Sequence, residues 1–203
     1  MSFVTADVRL YVEETGTGDP IIFAHELHSD YREWEAQVRW FSRSYRCITF
    51  NARGYPPSDV PGDSGLYGFP FVVHDIAAVM RGLGISNAHV VGLSQGAYAA
   101  LHFGLMYPEM ARSLVVASVG AGSPAADRAK FVAEAEATAR AYLEQGAYAV
   151  AEVVGQGPAR NAASAQGSAR IPSIPVPSAG AFAGRQSADA GWLSGPTSLA
   201  AGL

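Results

Sequence analysis

The stretch His89-Val90-Val91-Gly92-Leu93-Ser94-Gln95-Gly96-Ala97-Tyr98-Ala99 carries an apolar strand, Ala88 to Leu93, into a helix through the pattern G-x-S-x-G. A serine in such a strand-to-helix turn takes a strained backbone that lifts its hydroxyl above the sheet. The residues two before and two after pass close to it and must be small, as Gly92 and Gly96 are. The helix that follows aims its N-terminus at the serine. Its free N–H groups and positive dipole end favour a developing oxyanion. A G-x-S-x-G string is weak evidence by itself in a chain with 22 glycines, but here it falls between the two elements that its mechanics require.

Outward from this turn, short apolar runs alternate with helical patterns. Val8 to Glu13 alternates like an edge strand or hairpin arm, and Thr15 to Pro20 is turn chemistry. Ile21 to Ala24 is a continuous apolar run, read as a strand buried on both faces. Tyr31 to Phe41 places Trp34, Val38 and Phe41 at helical spacing, and Tyr45 to Phe50 is a β-friendly strand. Phe71 to Leu83 is expected to be a helix stopped by Gly84, Ala88 to Leu93 a third buried strand, Ala97 to Met106 a helix, and Ser113 to Val119 a fourth apolar strand. This alternation predicts an α/β fold, a mainly parallel twisted sheet flanked by helices with right-handed crossovers. Ligands bind such sheets beyond the carboxyl ends of the strands, which singles out the loops after Ala24, Phe50, Leu93 and Val119.

The chain divides by composition into a core at 1–122, a helical segment at 123–155 and a tail at 156–203. Ala126 to Glu144 and a shorter piece, Ala147 to Val154, have the propensity for two helices of a partial lid. The tail is rich in Ala, Ser, Gly and Pro, has no sustained period, and is expected to be poorly ordered. A net charge of −4 gives no electrostatic reason to expect nucleic acid as a partner. No apolar run approaches the roughly 18 residues of a membrane span, and no signal peptide is legible, so a cytoplasmic location is expected. The one cysteine, Cys47, excludes an internal disulfide and a cysteine-built metal site, and no metal or cofactor is expected.

Two further segments complete a pattern. Phe23-Ala24-His25-Glu26-Leu27 follows one strand, and Asn51-Ala52-Arg53-Gly54-Tyr55-Pro56-Pro57-Ser58 follows the next. With the Gly92–Gly96 turn they stand in the order and at the spacing of the α/β-hydrolase superfamily, which residues 7 to 155 resemble. The resemblance implies Ser94 as nucleophile and the backbone N–H groups of Leu27 and Gln95 as the oxyanion hole. It departs from the family at Glu26, where glycine is usual, and at Asn51 and Pro56 in the loop that normally reads D-x-R-G-x-G-x-S. His25 is read as a buried histidine holding its loop, and the Arg53-Gly54 loop as architecture. A serine at the elbow argues against dehalogenases and epoxide hydrolases, which resemble this family but use aspartate there.

The family places an acid and then a histidine after the nucleophile. The histidines here are His25, His28, His74, His89 and His102, and none follows His102. Asp189 follows no apolar run and is not assigned as the acid. His28, in the loop after the first buried strand, is the one histidine placed to serve as a substitute base. The core therefore resembles the N-terminal two-thirds of a hydrolase, truncated before its last strands. The composition break near Gln156 is what an out-of-frame reading of GC-rich coding sequence would give. Three readings stand: a serine hydrolase acting on a small ester or related acyl substrate, impaired by the missing acid and base; a non-catalytic hydrolase-like protein that binds a small molecule or partner; and a truncated inactive product. The sequence does not fix the oligomeric state.

Overall fold

A computed structural model describes residues 2–120 and 124–155, with side chains in the last segment at 124–141, 144 and 145. The expected disorder and frame shift of 156–203 lie outside the described residues. Among the described residues six strands form one sheet in the order β1-β2-β4-β3-β5-β6. They are β1 (Ser2–Thr5), β2 (Arg9–Thr15), β3 (Asp19–Ala24), β4 (Tyr45–Phe50), β5 (Ala88–Leu93) and β6 (Ala111–Ala117). β1 and β2 pair antiparallel, as do β2 and β4, whereas β4, β3, β5 and β6 run parallel. Parallel neighbours require crossovers, and the helices α1 (Glu35–Phe41), α2 (Phe69–Gly82) and α3 (Gln95–Met106) supply them.

The two-residue period of the strands sorts side chains between two unequal layers. Leu10, Val12, Ile22, Ile48, Phe50 and Val90 face α2 and α3, where Val73, Ile76, Met80 and Phe103 complete the main core. On α2, Val72, Val73, Ile76, Val79 and Met80 are buried at helical spacing, each buried side chain of this size contributing about 1.5–3 kcal/mol. Gly84, with φ +67° in open space, ends that helix as expected. On the opposite face a smaller cluster of Ile21, Phe23, Trp34 and Cys47 packs beneath α1.

This second face is where the structure differs most from the sequence expectation. β5 alternates buried and half-buried residues instead of being enclosed on both sides, and β6 has half-buried and exposed residues and none buried, with Val115 at 51%. Among the described residues β6 is an edge strand, and α1 packs on the β3 and β4 part of this face. The expected helix Tyr31 to Phe41 is divided at Trp34, φ −89° and ψ 4°, into a 3₁₀ turn at Tyr31–Trp34 and α1, and the Asp30 carboxylate caps the start of the turn through the Arg32 N–H at 2.9 Å. The two expected lid helices are one, α4 (Ala125–Gly155). Gly146 alone interrupts good helix formers there, and its cost of about 1 kcal/mol does not break the run. β1 was not expected, and it makes β2 an interior strand.

Candidate active site

Ser94 lies between β5 and α3 with φ 51° and ψ −112°, a backbone conformation that non-glycine residues avoid. Its N–H donates to the Ala117 carbonyl of β6 at 2.9 Å, and its carbonyl accepts from Ala97 N–H at 3.0 Å and Tyr98 N–H at 3.1 Å. The strained residue is thus clamped by a strand on one side and a helix turn on the other. The neighbouring glycines have a steric cause. A Cβ on Gly92 would sit 2.6 Å from Ala97 N, and one on Gly96 would sit 2.6 Å from the Ala24 carbonyl carbon and 2.7 Å from His25 O. The first turn of α3 therefore rests against the backbone at the end of β3. This close approach brings the elbow beside the His25–Leu27 loop.

That loop is held by hydrogen bonds to its backbone. His25 is buried, and its Nε2 accepts the Ala52 N–H at 3.2 Å. Nε2 must then carry a lone pair, which places the proton on Nδ1, where it donates to Glu26 O at 2.8 Å. His25 is therefore a neutral histidine bonded to backbone through both nitrogens. The Glu26 carbonyl shares a peptide plane with Leu27 N–H, so His25 also sets the direction of that N–H. Among the described residues neither Leu27 N–H nor Gln95 N–H donates a hydrogen bond.

Sequence reasoning missed two residues here. Tyr55, 3% exposed, donates its hydroxyl to Leu27 O at 2.7 Å and lies 3.1 Å from Gln95 Oε1, with its ring edge-on to His25 at 4.4 Å. The signal for it was the lone aromatic inside the Arg53–Ser58 loop. Glu33 accepts the Glu26 N–H at 2.9 Å. Burial pushes its carboxyl up to about 7, against the pull of that hydrogen bond, and the neighbouring Glu26 and Asp30 charges push the same way. A carboxyl raised in the folded state makes folding take up a proton between the unfolded value of 4.5 and about 7. Stability from this group is thus complete below that window and falls as pH rises through it. Urea unfolding should show Glu33→Gln gaining on the wild type by on the order of 1–2 kcal/mol between about pH 4.5 and pH 8, a figure reduced for partial solvent screening. Parallel pH curves for the two proteins would contradict it.

The remaining histidines are placed as follows. His74 Nδ1 lies 2.6 Å from the Tyr107 hydroxyl, and His89 Nδ1 lies 2.7 Å from Ser113 Oγ at the start of β5. His102 stacks edge-on with Phe69 at 4.1 Å, and burial lowers its pKa. His28 is half-buried in the loop after β3. The Arg53–Ser58 loop is architectural: buried Asn51 accepts from Tyr31 N–H at 2.8 Å and donates to Pro56 O at 2.8 Å, and Ser58 Oγ donates to Asn51 O at 2.7 Å. Arg53 and Asp75, each 1% exposed, form a buried ion pair that fastens this loop to α2. Cys47 is buried and burial pushes its thiol up, which makes it a poor competing nucleophile. Among the described residues no group of three or more His, Cys, Asp or Glu is placed to hold a metal ion, and no helix is long and apolar enough to cross a membrane.

Comparison with known proteins agrees with this architecture. The model of the alpha/beta hydrolase fold family matches residues 19–163. The chain belongs to that family. It is 33% identical over 114 residues to epoxide hydrolase 1 of Caenorhabditis elegans, covering 55% of this chain and 28% of the relative. It is 35% identical over 113 residues to BpoC of Mycobacterium tuberculosis, named as a non-heme bromoperoxidase, covering 54% and 41%. The enol-lactonase of Burkholderia xenovorans superposes with a TM-score of 0.73 at 16% identity, covering 93% of this chain and 73% of that one, a likeness of fold alone. The chain spans between 28% and 41% of the length of the curated relatives it matches.

Proposed function

We propose that the chain is the core of a serine hydrolase acting on a small ester or related acyl compound through an acyl-Ser94 intermediate. The observation that carries this reading is the strained Ser94 at the N-terminus of α3, beside a loop whose backbone is fixed by His25. Ser94 Oγ attacks the carbonyl carbon, and the N–H groups of Leu27 and Gln95 receive the negative oxygen. Collapse of the tetrahedral adduct expels the alcohol, which takes up a proton, and water then releases the acid. Serine in place of aspartate at position 94 separates this chemistry from that of the epoxide hydrolases it is similar to. His28 is the proposed base, because it lies in the loop after β3, the strand whose end rests against the first turn of α3. α4 is the proposed lid, and residues up to 122 the proposed core.

Labelling with a fluorophosphonate probe and turnover of p-nitrophenyl esters test the proposal. Wild type should label and turn over, Ser94→Ala should do neither, and His28→Ala should lose most of the rate. Equal activity in wild type and Ser94→Ala would exclude the mechanism. The histidine placement favours one second reading, a hydrolase-like protein that binds a small apolar molecule without cleaving it. A folded chain with neither labelling nor turnover would support that reading.

A further inference from the structure

Three loops meet at the Tyr55 hydroxyl. Tyr55 belongs to the loop after β4, Leu27 to the loop after β3, and Gln95 to the turn after β5. The hydroxyl is 2.7 Å from Leu27 O and 3.1 Å from Gln95 Oε1. We propose that Tyr55 is a positioning residue that sets the distance between the two oxyanion donors, a role that rests on the serine hydrolase reading given above.

The argument is one of peptide planes. Leu27 has a plane on each side of its Cα. The preceding plane carries Leu27 N–H and Glu26 C=O, and His25 Nδ1–H holds it. The following plane carries Leu27 C=O, and the Tyr55 hydroxyl holds it. With both fixed, Leu27 has no soft dihedral left with which to swing its N–H. The hydroxyl's single proton goes to Leu27 O, so the Gln95 side-chain amide, 3.1 Å away, ties that loop to the first residue of α3 by turning its NH2 to donate to the Tyr55 oxygen. The Tyr55 ring is itself fixed. It is buried, edge-on to His25, and its backbone N–H closes a turn to Ala52 O at 3.2 Å. Ala52 N–H is the donor that sets the tautomer of His25. His25 and Tyr55 thus hold one loop from both sides, each with its own hydrogen bond. A phenylalanine at position 55 would keep the ring packing and remove the hydroxyl with its contacts to Leu27 and Gln95.

The test compares the full-length wild type with Tyr55→Phe, reading the pre-steady-state acylation rate and KM with p-nitrophenyl acetate, together with the melting temperature. Loss of one neutral hydrogen bond to a positioned group should lower the acylation rate about 10-fold with KM changed less than about 2-fold and melting nearly unchanged. An acylation rate within about 2-fold of wild type overturns the proposal, as does a loss that rises in KM and falls in melting temperature together. If Tyr55→Phe does not fold, Gln95→Ala carries the test, because it cuts the same bridge and keeps the Gln95 N–H. If Ser94→Ala turns over as fast as wild type, the hydrolase reading fails, and amide resonances decide the Tyr55 proposal separately. Joint movement of the Leu27 and Gln95 amide signals in Tyr55→Phe supports it, and stillness of either overturns it.

Discussion

Asp75→Ala should destabilise the protein by about 3–5 kcal/mol, seen as a large fall in the urea midpoint followed by circular dichroism. Asp75 accepts from Arg53 at three positions, Nε at 3.0 Å, Nη2 at 2.6 Å and the backbone N–H at 3.1 Å. Arg53 is buried to 1% exposure and cannot shed its charge. Removing the carboxylate leaves that cation with Asp7, which is 56% exposed and well screened, and with the Leu66 carbonyl at 3.3 Å. A domain of this size has roughly 5–15 kcal/mol of stability in all, so the loss approaches unfolding. The double variant Arg53→Met with Asp75→Leu removes both charges and should recover most of it, since a buried ion pair replaced by apolar side chains of similar volume is often close to neutral. A single variant within about 1 kcal/mol of wild type would show that the pair is not what fastens the Arg53–Ser58 loop to α2.

Gly96→Ala should cost about 2–3 kcal/mol and lower Ser94 labelling by roughly 100-fold. The added Cβ meets main chain, the Ala24 carbonyl carbon at 2.6 Å and His25 O at 2.7 Å, and neither has a side-chain torsion with which to move aside. Relief requires that α3 lift from the end of β3, which parts Gln95 from Leu27. Gly62→Ala is the control, because a Cβ there meets nothing within 4 Å, and it should stay within about 0.5 kcal/mol of wild type. If Gly96→Ala melted and labelled like Gly62→Ala, the close approach would not be what assembles the site.

What the sequence revealed and what it hid divide along the range of the interactions involved. The strands Tyr45–Phe50 and Ala88–Leu93 were legible to the residue, because local apolar and β-branched composition specifies them. The G-x-S-x-G turn was legible because strand, small residues and helix follow one another within a few positions. β1 was hidden: its four residues are strand by virtue of pairing, such as Val4 with Leu10, and not by propensity. The break before α1 lies in the backbone of Trp34, at φ −89° and ψ 4°, which no residue type there announces. Tyr55 was hidden because its hydroxyl partners lie 28 and 40 residues away in the chain. The burial of β5 was overestimated because apolar composition records what a strand is suited to contact, whereas exposure depends on what stands opposite it.

The bond from Ser94 N–H to the Ala117 carbonyl has a consequence in time as well as in space. Ala117 is the last residue of β6, which is the outermost strand among the described residues, and strands at an edge open more often than those within a sheet. Each opening frees one side of the clamp on a residue held at φ 51° and lets it relax toward an ordinary conformation. The proposed nucleophile is therefore aimed only during the intervals in which the margin of the sheet is closed. The fraction of molecules in which Ser94 keeps that conformation is thereby tied to how often β6 is closed.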